Sequence, residues 1–261
     1  MLPTPCHIIA DVHLGVARPV IERSFEKYLR ALPSDAKSLI IDGDLFDFWF
    51  EWTSVIPRRG FRALAELAAV REAGVEIVWI AGNHDCWGGD VLRQDIGVTY
   101  HVGPWEDMVG PWHIRVEHGD GLRAVEDRKY RMIRPIMRSP TAIALFRRLH
   151  PDFATRIAMG SSSASRTYRA RDGGAGLRAI GHDTLRRDPT LDVMVLGHSH
   201  VAALERVDGA GIFANPGSWL DAPTYLRLDE QEIALCEWDG SAEGNRLDVI
   251  DRGAEKLPAD A

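Results

Sequence analysis

Imidazole, carboxylate and amide side chains recur at five places in this chain, each at the end of a short apolar run. These seven side chains are Asp11, His13, Asp44, Asn83, His118, His198 and His200. Mixed nitrogen and oxygen donors suit Mn²⁺, Fe or Zn²⁺ better than Mg²⁺, which prefers oxygen ligands alone. Seven donors are too many for one ion. The set therefore predicts a site for two divalent metal ions, with Asp44 placed to bridge them.

Paired cations of this kind stabilise hydroxide at neutral pH and neutralise the charge of a phosphate group. His84 directly follows Asn83 and would face the substrate, where its imidazole would bind phosphate oxygens or protonate the leaving group. Asp85 would orient that imidazole. The pattern predicts phosphate ester hydrolysis, with His84 and Asp85 catalytic and with Asn83 and His84 in contact with the substrate. The alternative for His84 is an ordinary loop residue.

Strands and helices must position these side chains. The apolar runs predict strands at 7–14, 38–49, 76–85, 97–102, 113–120, 192–200, 211–219 and 224–238. Helical spacing appears between the early runs, at Ile21, Phe25, Tyr28, Leu29 and Leu32 and at Phe61, Leu64, Leu67 and Ala68. Strand alternation would aim Asp11 with His13, and His198 with His200, at one point each. We expect an α/β (α+β) fold in which two packed sheets carry helices outside.

Residues 123–180 interrupt the series of predicted strands, because here arginines stand among apolar residues at helical spacing. Between Gly121 and Arg171 twelve basic residues oppose three acidic ones, a net charge of +9, and the remaining chain carries −16. We expect a body at 1–122 and 181–252, an inserted helical cap at 123–180 and a frayed tail at 253–261. The apolar residues of the cap either pack onto the body or line a groove for hydrocarbon.

Composition narrows the class of protein. The 261 residues are 45% hydrophobic and 26% charged, which is typical of a globular protein and excludes a disordered or fibrous chain. Three widely spaced cysteines indicate a reducing compartment rather than a disulfide framework. We see no signal peptide or membrane-spanning run and expect a cytoplasmic protein. The net charge of −7 argues against a nucleic-acid partner, and no protein partner is predicted.

In their order along the chain, the motifs resemble the calcineurin-like metallophosphoesterase superfamily, whose pattern is DxH, GDxxD, GNHD, a further His and GHxH. They stand here at Asp11–His13, Gly43–Asp47, Gly82–Asp85, His118 and Gly197–His200. The resemblance implies a β-sandwich flanked by helices, with a dinuclear centre that favours Mn²⁺. It assigns Asp11, His13 and His200 to one ion, Asn83, His118 and His198 to the other, and Asp44 to both.

A second resemblance extends into the cap. Residues 44–51, 118–121 and 161–171, together with Asp127 and Tyr130, resemble UDP-2,3-diacylglucosamine pyrophosphatases of lipid A synthesis. It implies water attack on the α-phosphate of a UDP-linked, doubly acylated glucosamine, which gives UMP and the acylated sugar 1-phosphate. The enzyme would be peripheral on the cytoplasmic face of the inner membrane. By position, Asp127 and Tyr130 would meet the glucosamine, and the sugar and diphosphate contacts would be Ser162, Arg166 and Arg169.

Two features depart from that family. His84 stands where its best-known branch has arginine, and the spacing after Asp120 is one residue longer, so that Glu126 is an alternative to Asp127. The aromatic stretch Phe46, Phe48, Trp49, Phe50 and Trp52 fits either an acyl groove or core packing. A metallophosphoesterase acting on another phosphodiester, nucleotide or phosphoprotein is the alternative function. A non-catalytic protein-binding scaffold is disfavoured, because all seven ligands are present.

Overall fold

Seven strands form the first sheet of the computed structural model, which describes residues 1–166, 172–241 and 244–253, with the backbone alone at 161–166. They are β1 (Cys6–Ile9), β2 (Ser38–Asp42), β3 (Glu76–Ile80), β4 (Thr99–His101), β10 (Thr224–Leu228), β11 (Glu232–Glu237) and β12 (Asn245–Asp251). Their order is β12-β11-β10-β1-β2-β3-β4. Strands β1 to β4 are parallel, and β10 joins β1 in antiparallel register, so the first strand of the chain lies inside the sheet.

Five strands form the second sheet. They are β5 (Trp105–Val109), β6 (Trp112–Glu117), β7 (Val193–Leu196), β8 (Ala203–Arg206) and β9 (Ile212–Asn215), in the order β5-β6-β7-β9-β8. The inner strands β6, β7 and β9 are parallel neighbours, and the two edge strands are antiparallel. Fully buried residues of both sheets, among them Ile8, Ile40, Ile114 and Val195, form the core between them.

Helices cover the outer faces of both sheets. Helices α1 (Pro19–Ala31) and α2 (Phe61–Glu72) pack on the seven-stranded sheet, and α6 (Ala175–Arg187) packs on the five-stranded sheet. Short 3₁₀ and π-helical turns occupy Leu32–Ser34 and Val91–Ile96. The structure confirms the expected α/β (α+β) class, with two packed sheets and helices outside.

Several predicted strands are too long at their carboxyl ends. Strand β1 ends at Ile9 and β7 at Leu196, so the polar residues that follow lie in loops. The run at 224–238 contains two strands, because a turn at 229–231 separates β10 from β11. Strands β5, β8 and β12 were not predicted. Strand β12 is almost wholly exposed and β8 is a half-exposed edge, so neither carries a long apolar run.

Three helices stand between β6 and β7 and form the cap: α3 (Arg128–Met137), α4 (Pro140–Phe146) and α5 (Pro151–Arg166). Helix α6 belongs to the body, because Leu177 and Leu185 pack against Met194 and Phe213 of the five-stranded sheet. Residues 175–180, which the sequence grouped with the cap, are therefore part of the body. Among the described residues, no helix is long and apolar enough to cross a membrane.

Aromatic residues of the body hold the cap. Phe48, Phe50 and Trp52 form a buried cluster with Ala154 of α5, and Phe146 of α4 packs against it. The Phe50 and Phe146 ring centroids lie 4.9 Å apart. The aromatic stretch thus joins the polar loop after β2 to the helices of the cap.

Phe50→Ala should loosen the cap, since truncating a buried phenylalanine costs about 3–5 kcal/mol. We expect trypsin to cleave after Arg147, Arg148 or Arg156 at least about tenfold faster than in the native chain, with the body still folded. The measurement is the rate of limited proteolysis, with fragments identified by mass spectrometry. Phe61→Ala, at a side chain that is 62% exposed, is the control. Unchanged cleavage in Phe50→Ala would show that the cap is held in another way.

Candidate metal centre

Five loops meet at one end of the sandwich, each directly after a strand. The loops after β1, β2 and β3 come from parallel neighbours of one sheet, and those after β6 and β7 from parallel neighbours of the other. The carboxyl ends of parallel strands open at the same edge of a sheet, where side chains for a site can collect. All seven predicted ligands lie in these loops, in the order Asp11, His13, Asp44, Asn83, His118, His198 and His200.

The backbone of these loops is strained at the ligands. Among the described residues, the non-glycine residues with positive φ are Asp11 (52°), His13 (50°), Asp44 (51°), His198 (59°) and His200 (62°). L-residues adopt this region at a cost, and such strain clusters at functional sites. The expectation that strand alternation aligns the DxH and HxH pairs was wrong. Left-handed turns outside the strands direct these side chains instead.

Asp11, His13 and His200 form the first potential metal-binding group. The Nε2 atoms of His13 and His200 lie 3.3 Å apart, and His200 Nε2 is 3.4 Å from Asp11 Oδ1. The other carboxylate oxygen of Asp11 accepts a hydrogen bond from the His198 backbone N–H at 2.9 Å. Asp11 is thereby fixed with Oδ1 directed at the two imidazoles.

Asp44, His118 and His198 form the second group. His118 Nδ1 donates to the Asp42 carbonyl at 2.8 Å, which leaves Nε2 facing Asp44 Oδ2 at 3.2 Å. The same Asp44 oxygen is 4.0 Å from His13 Nε2, so Asp44 stands between the groups. The HxH pair therefore divides: His200 belongs to the first group and His198 to the second, rather than both aiming at one point.

The buried carboxylates of the metal-binding groups are stabilised by positive charge. Burial alone would raise the pKa of Asp44, but the charges of His118 and His84 outweigh it and hold that pKa well below its usual range. Burial alone would lower the pKa of His118, but the Asp44 carboxylate raises it well above its usual value. Burial, then the charge of His118, lowers the pKa of His198 to about 4, so this imidazole is neutral at pH 7, as a metal ligand must be.

Unpaired buried atoms show that these residues fit metal ions. Asp11 Oδ1, Asn83 Oδ1 and His118 Nε2 are buried and, within the described parts of the chain, have no hydrogen-bond partner. Buried polar atoms without a partner are costly and need an explanation. The Asp11 and His118 atoms face into the two groups. Cations bound there would satisfy them and neutralise Asp11 and Asp44.

His84 forms a third group of potential metal ligands with His13 and Asp44, and the structure corrects its expected partner. Its Nδ1 donates to the Asp47 carbonyl at 2.9 Å, while Nε2 is 3.9 Å from Asp44 Oδ2. The predicted contact from Asp85 was wrong. The Asp85 carboxylate instead accepts the backbone N–H groups of Gly82 and Leu45, at 2.8 and 2.9 Å, and joins the two loops. Burial, then the charge of Asp44, raises the pKa of Asp85 to about 7.

A cavity of about 390 Å³ extends from this site into the cap. Its polar lining residues are Asp47, Asn83, His84 and Tyr130. The other lining residues are apolar and include Phe48, Phe50, Trp87, Ile133, Ile136, Met137, Ile143, Phe146 and Ile157. The aromatic stretch therefore has both of its weighed roles: Phe48 and Phe50 line the cavity, whereas Phe46 stacks on Trp49 and Trp79 in the core.

Some predicted substrate contacts are not at the cavity. Asp127 is buried and accepts two side-chain hydrogen bonds from Arg123, the shorter at 2.8 Å, so its carboxylate is already engaged. Glu126 is exposed. The backbone of Ser162 and Arg166 lies in α5, but their side chains, and all of Arg169, lie outside the described residues.

Supporting residues complete the site. Ser218 donates to the Asp11 carbonyl at 2.8 Å, and Asn215 donates to the Gly197 carbonyl at 3.1 Å, so the turn after β9 holds the loops after β1 and β7. Sequence reasoning missed Trp87, which lines the cavity and donates to the Met137 carbonyl of the cap at 2.8 Å. Its position two residues after the GNHD motif was the available signal.

Residues 4–202 match the family described as calcineurin-like phosphoesterase. The match covers most of the chain, so the protein belongs to this family, and it is a metal-dependent hydrolase. Three curated relatives carry the name UDP-2,3-diacylglucosamine hydrolase. The Porphyromonas gingivalis relative is 31% identical over 251 residues, covering 88% of this chain and 95% of the relative. Those of Pectobacterium carotovorum and Xanthomonas oryzae are 28% and 29% identical, covering 88% and 87% of this chain and 97% and 96% of their own lengths.

Gly82→Ala should remove metal binding without unfolding the chain. A Cβ at Gly82 would collide with the Asp44 carboxylate and backbone, so Asp44 would have to leave its position between the groups. We expect metal content and phosphodiesterase activity to fall at least about tenfold, with an unchanged circular dichroism spectrum. Gly253→Ala, where a Cβ meets no atom within 4 Å, is the control. Full metal content in Gly82→Ala would contradict the bridging position of Asp44.

Proposed function

We propose that this protein hydrolyses the diphosphate of UDP-2,3-diacylglucosamine to UMP and 2,3-diacylglucosamine 1-phosphate, a step of lipid A synthesis. One observation carries the proposal: an apolar cavity opens at Asn83 and His84, beside the two metal-binding groups. A phosphate at the metal centre and hydrocarbon in the cavity would thus belong to one ligand. The names of the relatives agree with a substrate of this kind.

The site is proposed to hold two divalent ions, preferably Mn²⁺. Asp11, His13 and His200 would bind one ion, and Asn83, His118 and His198 the other, with Asp44 shared. When bound, the ions would supply an activated water and neutralise the charge of the attacked phosphate. The fixed orientation of His118 and Asp11 by backbone groups keeps their ligand atoms in place before the substrate arrives.

His84 is proposed as the residue that acts on the substrate. It lines the cavity, and its Nδ1 is held by the Asp47 carbonyl. Because Nδ1 already donates, Nε2 donates to a phosphate oxygen or to the leaving group only when the ring is protonated. Asp85 acts indirectly, because it ties the loop of His84 to the loop of Asp44.

Contacts with the sugar are proposed for Tyr130, which lines the cavity, and for Asp127, which would first have to exchange its partner Arg123 for the glucosamine. Ser162, Arg166 and Arg169 stay predictions for the sugar and diphosphate.

We further propose that the protein works at the cytoplasmic face of the inner membrane, with the cap against the lipid. Met132, Ile136, Leu145 and Phe153 are more than half exposed on the cap helices. Exposed arginines accompany them, including Arg131. Apolar side chains that insert at the interface, together with arginines that attract anionic headgroups, are typical of peripheral membrane binding. Exposed Ile136 also lines the cavity, so an acyl chain could pass from membrane to site.

Purified protein loaded with Mn²⁺ should release UMP from UDP-2,3-diacylglucosamine, measured by mass spectrometry. Asp44→Ala should abolish turnover and lower metal content, because both proposed ions would lose the ligand that they share. His84→Ala should lower kcat by about 10²–10⁴-fold with metal content retained. Loss of metal in His84→Ala would make His84 a ligand.

Faster turnover of short soluble diesters than of the lipid by the native protein would favour the alternative phosphodiester substrate.

Membrane binding is tested by co-sedimentation with vesicles of phosphatidylethanolamine and phosphatidylglycerol. Ile136→Glu together with Met132→Glu should reduce the bound fraction at least about fivefold, because the carboxylates oppose both insertion and the anionic surface. Leu247→Glu, at a side chain that is 49% exposed on β12, is the matched control. An equal effect of the two sets of substitutions would contradict binding through the cap.

A further inference from the structure

Arg134 of α3 and Arg138, directly after the last residue of that helix, have no role in the site described so far. Arg138 Nη2 is 3.4 Å from Asp120 Oδ2, and Arg134 Nε is 3.7 Å from the same oxygen. The Asp120 side chain is 4% exposed and follows the ligand His118 by two residues. Both arginine side chains are about three-quarters buried.

This cluster carries surplus positive charge and unused donors. One carboxylate neutralises only one of the two guanidinium groups. The Nε atoms of Arg134 and Arg138 are buried and find no hydrogen-bond acceptor in the part of the chain that the structure describes. Buried donors normally have acceptors. Two planar guanidinium groups side by side match the oxygens of a phosphate better than they match a single carboxylate oxygen.

The position of the cluster connects it with the cavity. Tyr130, Arg134 and Arg138 follow one another at intervals of four residues, so they lie on one side of α3 and of the turn that ends it. Tyr130 lines the cavity. Asp120, the partner of both arginines, stands in the loop after β6 that carries His118 of the second metal-binding group.

We propose that Arg134 and Arg138, positioned by Asp120, bind the non-reacting phosphate of a diphosphate diester while the reacting phosphate lies at the metal centre. The inference rests on the proposed function, because it requires a substrate with two linked phosphates. None of the cavity-lining residues that the structure describes is an arginine or lysine, and this neighbouring cluster would supply counter-charge for the second phosphate in addition to the contacts predicted for Arg166 and Arg169. The arginines would thus select diphosphates over simple diesters.

Three substrates test the subsite in the Mn²⁺-loaded protein: UDP-2,3-diacylglucosamine, UDP-glucose as a soluble diphosphate diester, and bis(p-nitrophenyl) phosphate, which has a single phosphate. Arg138→Met and Arg134→Met should each lower kcat/KM for the diphosphates by about 10- to 100-fold and change it less than about twofold for bis(p-nitrophenyl) phosphate. Arg138→Lys should restore part of the loss. Arg186→Met, at an exposed position of α6 away from the cap, is the control.

Asp120→Asn tests the positioning role. It should raise KM for the diphosphates more than it lowers kcat, with metal content unchanged, because the arginines lose their orientation and the metal ligands stay in place.

The outcomes separate the two hypotheses. Equal losses on all substrates would show that the arginines only anchor the cap, and unchanged turnover of the diphosphates would remove them from the site; either result overturns the subsite. If the native protein does not turn over the lipid, the proposed function fails. The subsite is then decided by UDP-glucose against bis(p-nitrophenyl) phosphate.

Discussion

Two buried carboxylates lie where the ends of both sheets meet, and their negative charge determines which groups can surround them. Asp11 and Asp44 are almost without solvent contact, and a buried charge is tolerated only when an opposite charge lies beside it. In the protein alone, the imidazoles of His200 and His118 supply that charge in part. Divalent ions would supply more of it. The folded chain therefore favours cation binding at Asp11 and Asp44 before any substrate is bound.

The sandwich and the cap contribute different residues to the site: charged loops from the sandwich and apolar side chains from the cap. The strand ends of both sheets bring charged loops together, and the absence of a Cβ at Gly43 and Gly82 lets those loops approach each other closely. The cap adds what the sandwich lacks, an apolar wall that faces the same opening through Phe146 and Ile143. A centre suited to phosphate chemistry is thus joined to a surface suited to hydrocarbon. This pairing, rather than the fold, narrows the class of substrate.

The candidate ligands could be named from the sequence because each follows an apolar run and the motifs occur in a recognisable order, and the structure places all of them in loops at one end of the sandwich. The way the ligands converge could not. Period-two reasoning extended β1 and β7 through Asp11 and His198, whereas the chain turns there in a left-handed conformation that residue type does not reveal. The partners of Asp85 and Asp127 also depended on the fold, because a carboxylate that binds backbone N–H groups or a nearby arginine looks the same in sequence as a catalytic one.

Because β1 lies inside the sheet, its pairing with β10 affects when the chain can fold during synthesis. Cys6 pairs with Leu228, so the central sheet closes only after β10 has been synthesised. The His200 imidazole reaches Asp11 across a similar separation in sequence. Contacts between such distant residues form late and slowly. Ion uptake is thus a final event of biogenesis, and a nascent chain that stalls before β10 would present the apolar face of an incomplete sheet to chaperones.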